Sequence, residues 1–182
     1  MSSGRLVILS GPSGVGKDTV IDAWKAQNPN VQRVVAYTTR QPRPGETNCV
    51  DYHFVTPDEF HKKADNGDFL EFKEVHGNWY ATPLTDLNTM LAEGKIAILK
   101  IDVQGALTAM KLRPDALTIF LLPPSVEELE KRIRGRASDH DHVIAKRLQN
   151  AHDEMAVCDR YQHQLVNHSV QETVEELERI IQ

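Results

Sequence analysis

Gly11-Pro12-Ser13-Gly14-Val15-Gly16-Lys17-Asp18-Thr19 follows the apolar run Leu6 to Leu9 and reads as a strand, a glycine-rich turn and a helix start. Such a turn can cradle phosphate. Glycines allow positive φ and close main-chain approach, the N–H groups at the helix start face the anion, and Lys17 adds a mobile point charge. The pattern GxxxxGK[ST] fits at every position but the last, where Asp18 replaces the hydroxyl that would meet magnesium beside a polyphosphate; Thr19 is the nearest hydroxyl. Two further cationic groups could serve the same chemistry. Arg40 and Arg43 lie three apart in a loop stiffened by Pro42, Pro44 and Gly45, suited to forked contacts with one phosphate. Arg132 and Arg136 are spaced i, i+4 on one helix face, and Arg147 follows in the same charge-rich stretch. Beside a phosphate cradle, these two groups supply the cations that transfer between two phosphates needs around the moving group.

Positioning these groups calls for strands alternating with helices, the signature of a parallel sheet covered on both faces. Core strands are expected at Leu6–Ser10, Val34–Thr38, Ile96–Ile101, Leu117–Leu122 and Gln164–Val166. Capping residues mark helix starts at Thr56 with Glu59, Ser125 with Glu128 and Ser169 with Glu172. Asp51 to Ala81 alternates in short segments around one helix, with turns at Asn66-Gly67 and Gly77-Asn78, and reads as a small mixed insertion. Glu127 to Arg147 reads as two helices joined over residues 135–141.

The 182 residues suit a single domain with small subdomains, and a net charge of −5 argues against a general nucleic-acid or membrane surface. No apolar run reaches the roughly 18 residues of a membrane span. A cytoplasmic chain acting on small phosphorylated ligands is expected, as a monomer or homodimer, with Cys49 and Cys158 as reduced thiols.

In order and spacing, GPSGVGKDT, TTRQPRPGE (38–46), DYHF (51–54), FLE (69–71), GNWYAT (77–82), IDVQG (101–105), PPS (123–125), GRA (135–137) and KRL (146–148) together resemble the guanylate kinases. The resemblance spans nearly the whole chain. It implies an α/β fold: a three-layer P-loop core around a parallel sheet (1–33, 83–126, 148–182), a GMP-binding insertion (34–82) and a helical lid (127–147). It also implies transfer of the γ-phosphoryl of ATP to GMP or dGMP, with Mg2+ accompanying ATP. Gly11, Ser13, Gly14, Val15, Gly16, Lys17, Asp18 and Thr19 would hold ATP, with Asp18 toward the metal. Arg40, Arg43, Tyr52 and Tyr80 would hold the GMP phosphate. Glu71 would accept from guanine N1–H and N2–H, assisted by Asp102 at the amino group and Thr82 at O6. Lys17, Arg40, Arg43, Arg132, Arg136 and Arg147 would carry the transfer itself, and Asn167 would neighbour the adenine. Two alternatives stand beside this reading. A GKD-type loop also occurs in ribose 1,5-bisphosphate phosphokinases, and some guanylate-kinase-like domains are inactive binding modules.

Four positions depart from the family pattern. Ala36 replaces a usual serine, so base selection is expected to weaken; Tyr37 and Ala81 replace smaller residues in the pocket wall. Lys100 stands where an acid is usual. With Asp18 on the loop and Lys100 on the strand leading to Asp102, the two changes read as one coupled change, the alternative being two independent drifts at exposed positions. Opposite charges about 4 Å apart attract by roughly 4 kcal/mol at an effective dielectric near 20, before desolvation. A Lys100–Asp18 ion pair is therefore expected, with Asp18 turning toward magnesium when ATP binds.

Overall fold

The structure, a computed structural model, describes residues 4–135 and 141–182. In chain order the elements are β1 (Arg5–Ser10), α1 (Lys17–Gln27), β2 (Val31–Arg33), β3 (Tyr37–Thr38), β4 (His53–Phe54), α2 (Pro57–Asp65), β5 (Phe69–Val75), β6 (Asn78–Pro83), α3 (Leu84–Ala92), β7 (Ile96–Lys100), α4 (Val103–Leu112), β8 (Leu117–Leu122), α5 (Val126–Arg134), α6 (Asp141–Met155), a 3₁₀ turn at Cys158–Arg160, β9 (His163–Val166) and α7 (Val170–Ile180). A five-stranded sheet runs in the order β2-β7-β1-β8-β9, and a four-stranded one in the order β4-β3-β6-β5. This is the expected α/β architecture. The chain forms two compact units, and β1 contributes residues to both.

The first unit takes in residues up to Val7, Asn30–Leu99 and Gln104–Ala116. β2 pairs with β7 in parallel, Val31 opposite Ile96 and Arg33 opposite Ile98, and Val34 N–H extends the ladder to Ile98 C=O at 2.9 Å. A single core strand over Val34–Thr38 is not what forms. The core strand ends at Arg33, and Tyr37–Thr38 instead joins the second sheet, antiparallel to β6 and parallel to β4. The apolar run at residues 34–36 hid this break, because it feeds both sheets: Val34 N–H bonds Ile98 C=O at one end and Ala36 C=O accepts from His53 N–H at the other. β5 and β6 make a hairpin whose turn is His76-Gly77, at φ 52° and 79°. That is one residue earlier than expected, and it is the left-handed pair that matches strand twist in a two-residue loop. Phe60, Phe69 and Ala81 form the core of this subdomain, with Tyr37, Val55, Ala64 and Trp79 packed around them. Tyr37 also stacks on His53, with ring centroids 4.4 Å apart. α2 begins at a reciprocal capping box between Thr56 and Glu59.

The second unit takes in Ile8–Pro29, Lys100–Val103 and Leu117–Gln182. β8 and β9 pair in parallel, Leu122 opposite Val166. α1 and α7 lie side by side, tied by Trp24 Nε1 and Asn28 Nδ2, which both donate to Glu178 Oε1 at 2.5 and 2.8 Å. α5 and α6 meet through Leu129, Ile133, Ile144 and Ala151. α6 runs on to Met155, past the expected end of the lid at residue 147.

Candidate active site

The phosphate loop is built entirely within the second unit. Gly11 must be glycine because a Cβ there would come within 2.6 Å of Leu121 C=O. Gly16, at φ 101°, turns the chain into α1 and, as its N-cap residue, offers no side chain to cap that helix. Helix N–H groups left to other acceptors are what an anion uses. Lys17 Nζ folds back on the loop, donating to Gly11 C=O and, at 3.2 Å, to Pro12 C=O. Enclosure pushes its pKa down to about 8, Lys100 adds to the fall, and the carboxylates of Glu154, Asp18 and Asp102 oppose it. Val15 is buried, whereas Ser13, Asp18 and Thr19 face solvent.

The loop is held from behind by groups far away in sequence. Asn167, 4% exposed, donates its amide to Val15 C=O at 2.8 Å and accepts from the Thr173 hydroxyl at 2.9 Å. Arg132 Nη1 reaches the same carbonyl at 3.3 Å while Nε pairs with Glu128, so α5 brings one expected arginine to the loop. Arg147 sits half-buried on α6, and Arg136 lies outside the described residues. Glu154 on α6 was invisible to motif reading. Its carboxylate accepts from Ser13 N–H; burial raises its pKa, and Lys17 pulls the other way. Asp102, half-buried after β7, belongs to this same group of charges.

The expected ion pair forms. Lys100 Nζ lies 2.6 Å from Asp18 Oδ1, joining the end of β7 to the first turn of α1.

A second constellation lies in the first unit. Arg40 makes a fork to Glu46, Nη1 to Oε2 at 2.9 Å and Nη2 to Oε1 at 2.8 Å. The Arg43 N–H also donates to Glu46 Oε2 at 2.7 Å, so one carboxylate organises the whole loop. The fork holds the Arg40 proton firmly and lowers the pKa of Glu46. Arg40 lies over the Tyr52 ring at 5.4 Å and over Phe54 at 5.7 Å, within hydrogen-bonding range of Tyr80; the two tyrosine rings are 6.0 Å apart. Arg43 is exposed. Sequence reading named the arginines and tyrosines but gave Glu46 no role, although its place in the run 38–46 was the available signal.

Next in the same subdomain, Glu71 and Thr82 face each other across β5 and β6, after a register shift between Phe69 and Glu71. Both are buried, at 6% and 1% exposure, and the Thr82 hydroxyl donates to Glu71 Oε1 at 2.8 Å. Tyr37 and Ala81, two of the departures from the family pattern, both pack into the neighbouring apolar cluster.

A glycine-rich loop opening a helix, a lysine folded over it and an arginine from a separate helix pair define a phosphotransferase of the P-loop nucleotide-kinase class. The sequence model described as Guanylate kinase matches residues 3–182. A guanylate kinase of Aromatoleum aromaticum is 43% identical over 178 residues, covering 98% of this chain and 87% of that protein. One from Lactococcus lactis is 44% identical over 180 residues, covering 98% and 87%. The crystal structure of guanylate kinase from Anaplasma phagocytophilum superposes with a TM-score of 0.80 at 33% identity, covering all of this chain and 86% of that one. The chain belongs to the guanylate kinase family.

Proposed function

We propose that this protein transfers the γ-phosphoryl of ATP to GMP, giving ADP and GDP. The observation that carries this reading is the buried Glu71–Thr82 pair. A carboxylate hidden from water needs donors, and guanine offers two adjacent ones where adenine offers a bare lone pair at N1. A phosphorylated sugar lacking a base would leave Glu71 without use, and full-length likeness to curated guanylate kinases favours GMP over that alternative and over an inactive module.

In this reading the segment 34–82 binds GMP. Arg40, Arg43, Tyr52 and Tyr80 hold its phosphate, and Asp102 assists at the base. Gly11, Ser13, Gly14, Val15, Gly16, Lys17, Asp18 and Thr19 hold ATP through main-chain N–H groups and the Lys17 ammonium. Arg132, Arg136 and Arg147, carried by the lid segment 127–147, compensate charge on the moving phosphoryl, and closure of the lid excludes water that would otherwise accept it. The protein has little covalent chemistry to perform; alignment and charge carry the rate.

Magnesium fits the residues present. Asp18 offers a hard oxygen ligand, its side chain 63% exposed, and among the described residues no three His, Cys, Asp or Glu side chains converge on one point. One carboxylate plus nucleotide phosphates is a usual way to hold this ion. When bound, it would neutralise phosphate charge.

A coupled assay with ATP, Mg2+ and a panel of GMP, dGMP, AMP and ribose 1,5-bisphosphate tests the proposal. GMP or dGMP should be turned over at least 100-fold more efficiently than AMP. Preference for the sugar bisphosphate, or no turnover of any acceptor, would sink it.

A further inference from the structure

Phosphoryl transfer as described makes no use of Lys100, yet Lys100 is one of the better enclosed charges in the second unit. Its side chain is 13% exposed, against 63% for its partner Asp18, at 2.6 Å. Asp18 is the residue that follows Lys17 in the first turn of α1, so the pair sets a second ammonium beside the phosphate loop.

The difference in exposure decides which partner can move. Asp18 stands in the first turn of α1 with water around it, and can swing without breaking packing. Lys100 ends a sheet strand whose preceding residues Ala97, Ile98 and Leu99 are buried, so its ammonium stays near the loop. Asp18 alone would repel a triphosphate, and Lys100 cancels that charge. The nucleotide's own phosphate oxygens can displace the exposed Asp18 carboxylate from the enclosed ammonium, and a divalent cation that draws Asp18 aside only assists. An incoming phosphate oxygen can take the carboxylate's place, which is favourable because an enclosed charge is costly without a counter-charge.

We propose that Lys100 is a second phosphate-binding cation of the loop, held by Asp18 until nucleotide arrives and then directed at the ATP phosphates, so that nucleotide binding depends less on divalent cation than Lys17 alone would allow. The inference rests on the reading that the loop binds ATP, and deepens it.

Calorimetric titration of ATP into the full chain, in EDTA and in Mg2+, tests it with wild type, Lys100→Met and Asp18→Ser. In EDTA, Lys100→Met should weaken binding at least tenfold and Asp18→Ser should tighten it several-fold. In Mg2+, Asp18→Ser should instead weaken it, because the metal loses its carboxylate. Lys100→Met binding within twofold of wild type in EDTA overturns the proposal. Thermal unfolding monitors the fold; should Lys100→Met prove unfolded, Asp18→Ser decides, with tightening in EDTA supporting the proposal and unchanged or weaker binding overturning it. Wild type that binds no ATP in either medium defeats the ATP reading itself. Wild type that binds ATP but phosphorylates no GMP defeats only the acceptor assignment.

Discussion

Thr82 points its hydroxyl into the Glu71 carboxylate, 2.8 Å away, between two adjacent strands and out of reach of water. The bond takes up one acceptor site of the carboxylate, and it sets the rotamer from which Glu71 would read a base. Because Ala36 supplies no hydroxyl, Thr82 is the donor expected at guanine O6, and it must divide its single proton between O6 and Glu71.

Glu71→Gln should lower kcat/KM for GMP by about 100-fold, since an amide offers one acceptor where two donors need pairing and a charge-assisted bond is lost. AMP turnover should hold steady or rise. Thr82→Val, similar in size, should cost about tenfold. Equal losses for GMP and AMP with Glu71→Gln would show that the residue does not read the base.

Glu46 organises the loop that carries Arg40 and Arg43 by accepting from Arg40 Nη1 and Nη2 and from the Arg43 main-chain N–H. Glu46→Gln keeps the size and loses the charged fork. KM for GMP should rise roughly tenfold with KM for ATP unchanged. A shift in the ATP value alone would place Glu46 in a different role.

Lys17 should impose a pH limit. With its pKa near 8, kcat/KM for ATP should fall as pH climbs past about 8, while kcat, reporting the bound state in which phosphates favour the ammonium, should hold to higher pH. Unfolded chain keeps this proton up to about 10.5, so between those values the unfolded state binds more protons, and this group makes folding stability increase with pH. Thermal melts of wild type and Lys17→Met from about pH 7 to 10 check the sign: the increment should vanish in the variant.

Asn167 ties the loop to α7 through Val15 C=O and Thr173. Its replacement by Ala removes two buried bonds, leaving Val15 C=O with only the longer contact from Arg132 and the Thr173 hydroxyl with only Ser169 C=O, so stability should drop by about 1–3 kcal/mol and KM for ATP should rise. Denaturant unfolding and ATP kinetics measure the two effects separately. An unchanged midpoint would contradict the bracing role.

Tyr161 is 3% exposed; burial pushes its pKa up to about 12, against the pull of the Ser10 hydroxyl, and among the described residues no hydrogen bond of good geometry satisfies its hydroxyl. Tyr161→Phe removes a poorly satisfied buried group and should leave Tm level or raise it. A loss of several degrees would reveal a bond that the hydroxyl makes in solution.

The phosphate loop, the Arg40–Arg43 loop and most helix starts could be read from residues in order, because each depends on neighbours within a turn or two of chain: glycines at special φ, a hydroxyl three residues before an acid, guanidinium groups stiffened by proline. The Lys100–Asp18 pair was also legible, since an acid gained on the loop and a base gained on the neighbouring strand suggested one coupled change. Elsewhere the reading failed for want of partners. Val34–Thr38 looked like one core strand, but its apolar run serves two sheets, and only the pairing with Ile98 on one side and Ala81 on the other shows where it divides.

What the linear order of residues determined about this protein is its chemistry: an anion cradle and cationic forks, short-range matters of residue type and spacing, whereas Glu71 as a reader of the base came only from the resemblance to the guanylate kinases. What only the tertiary structure decided is which distant groups complete them. Asn167 and Glu154 reach the loop from α-helical and strand termini far along the chain, and Thr82 meets Glu71 through a register shift that no local pattern announces. Such contacts depend on packing, where many residues of one class would fit, and so they leave little trace in the order of the amino acids.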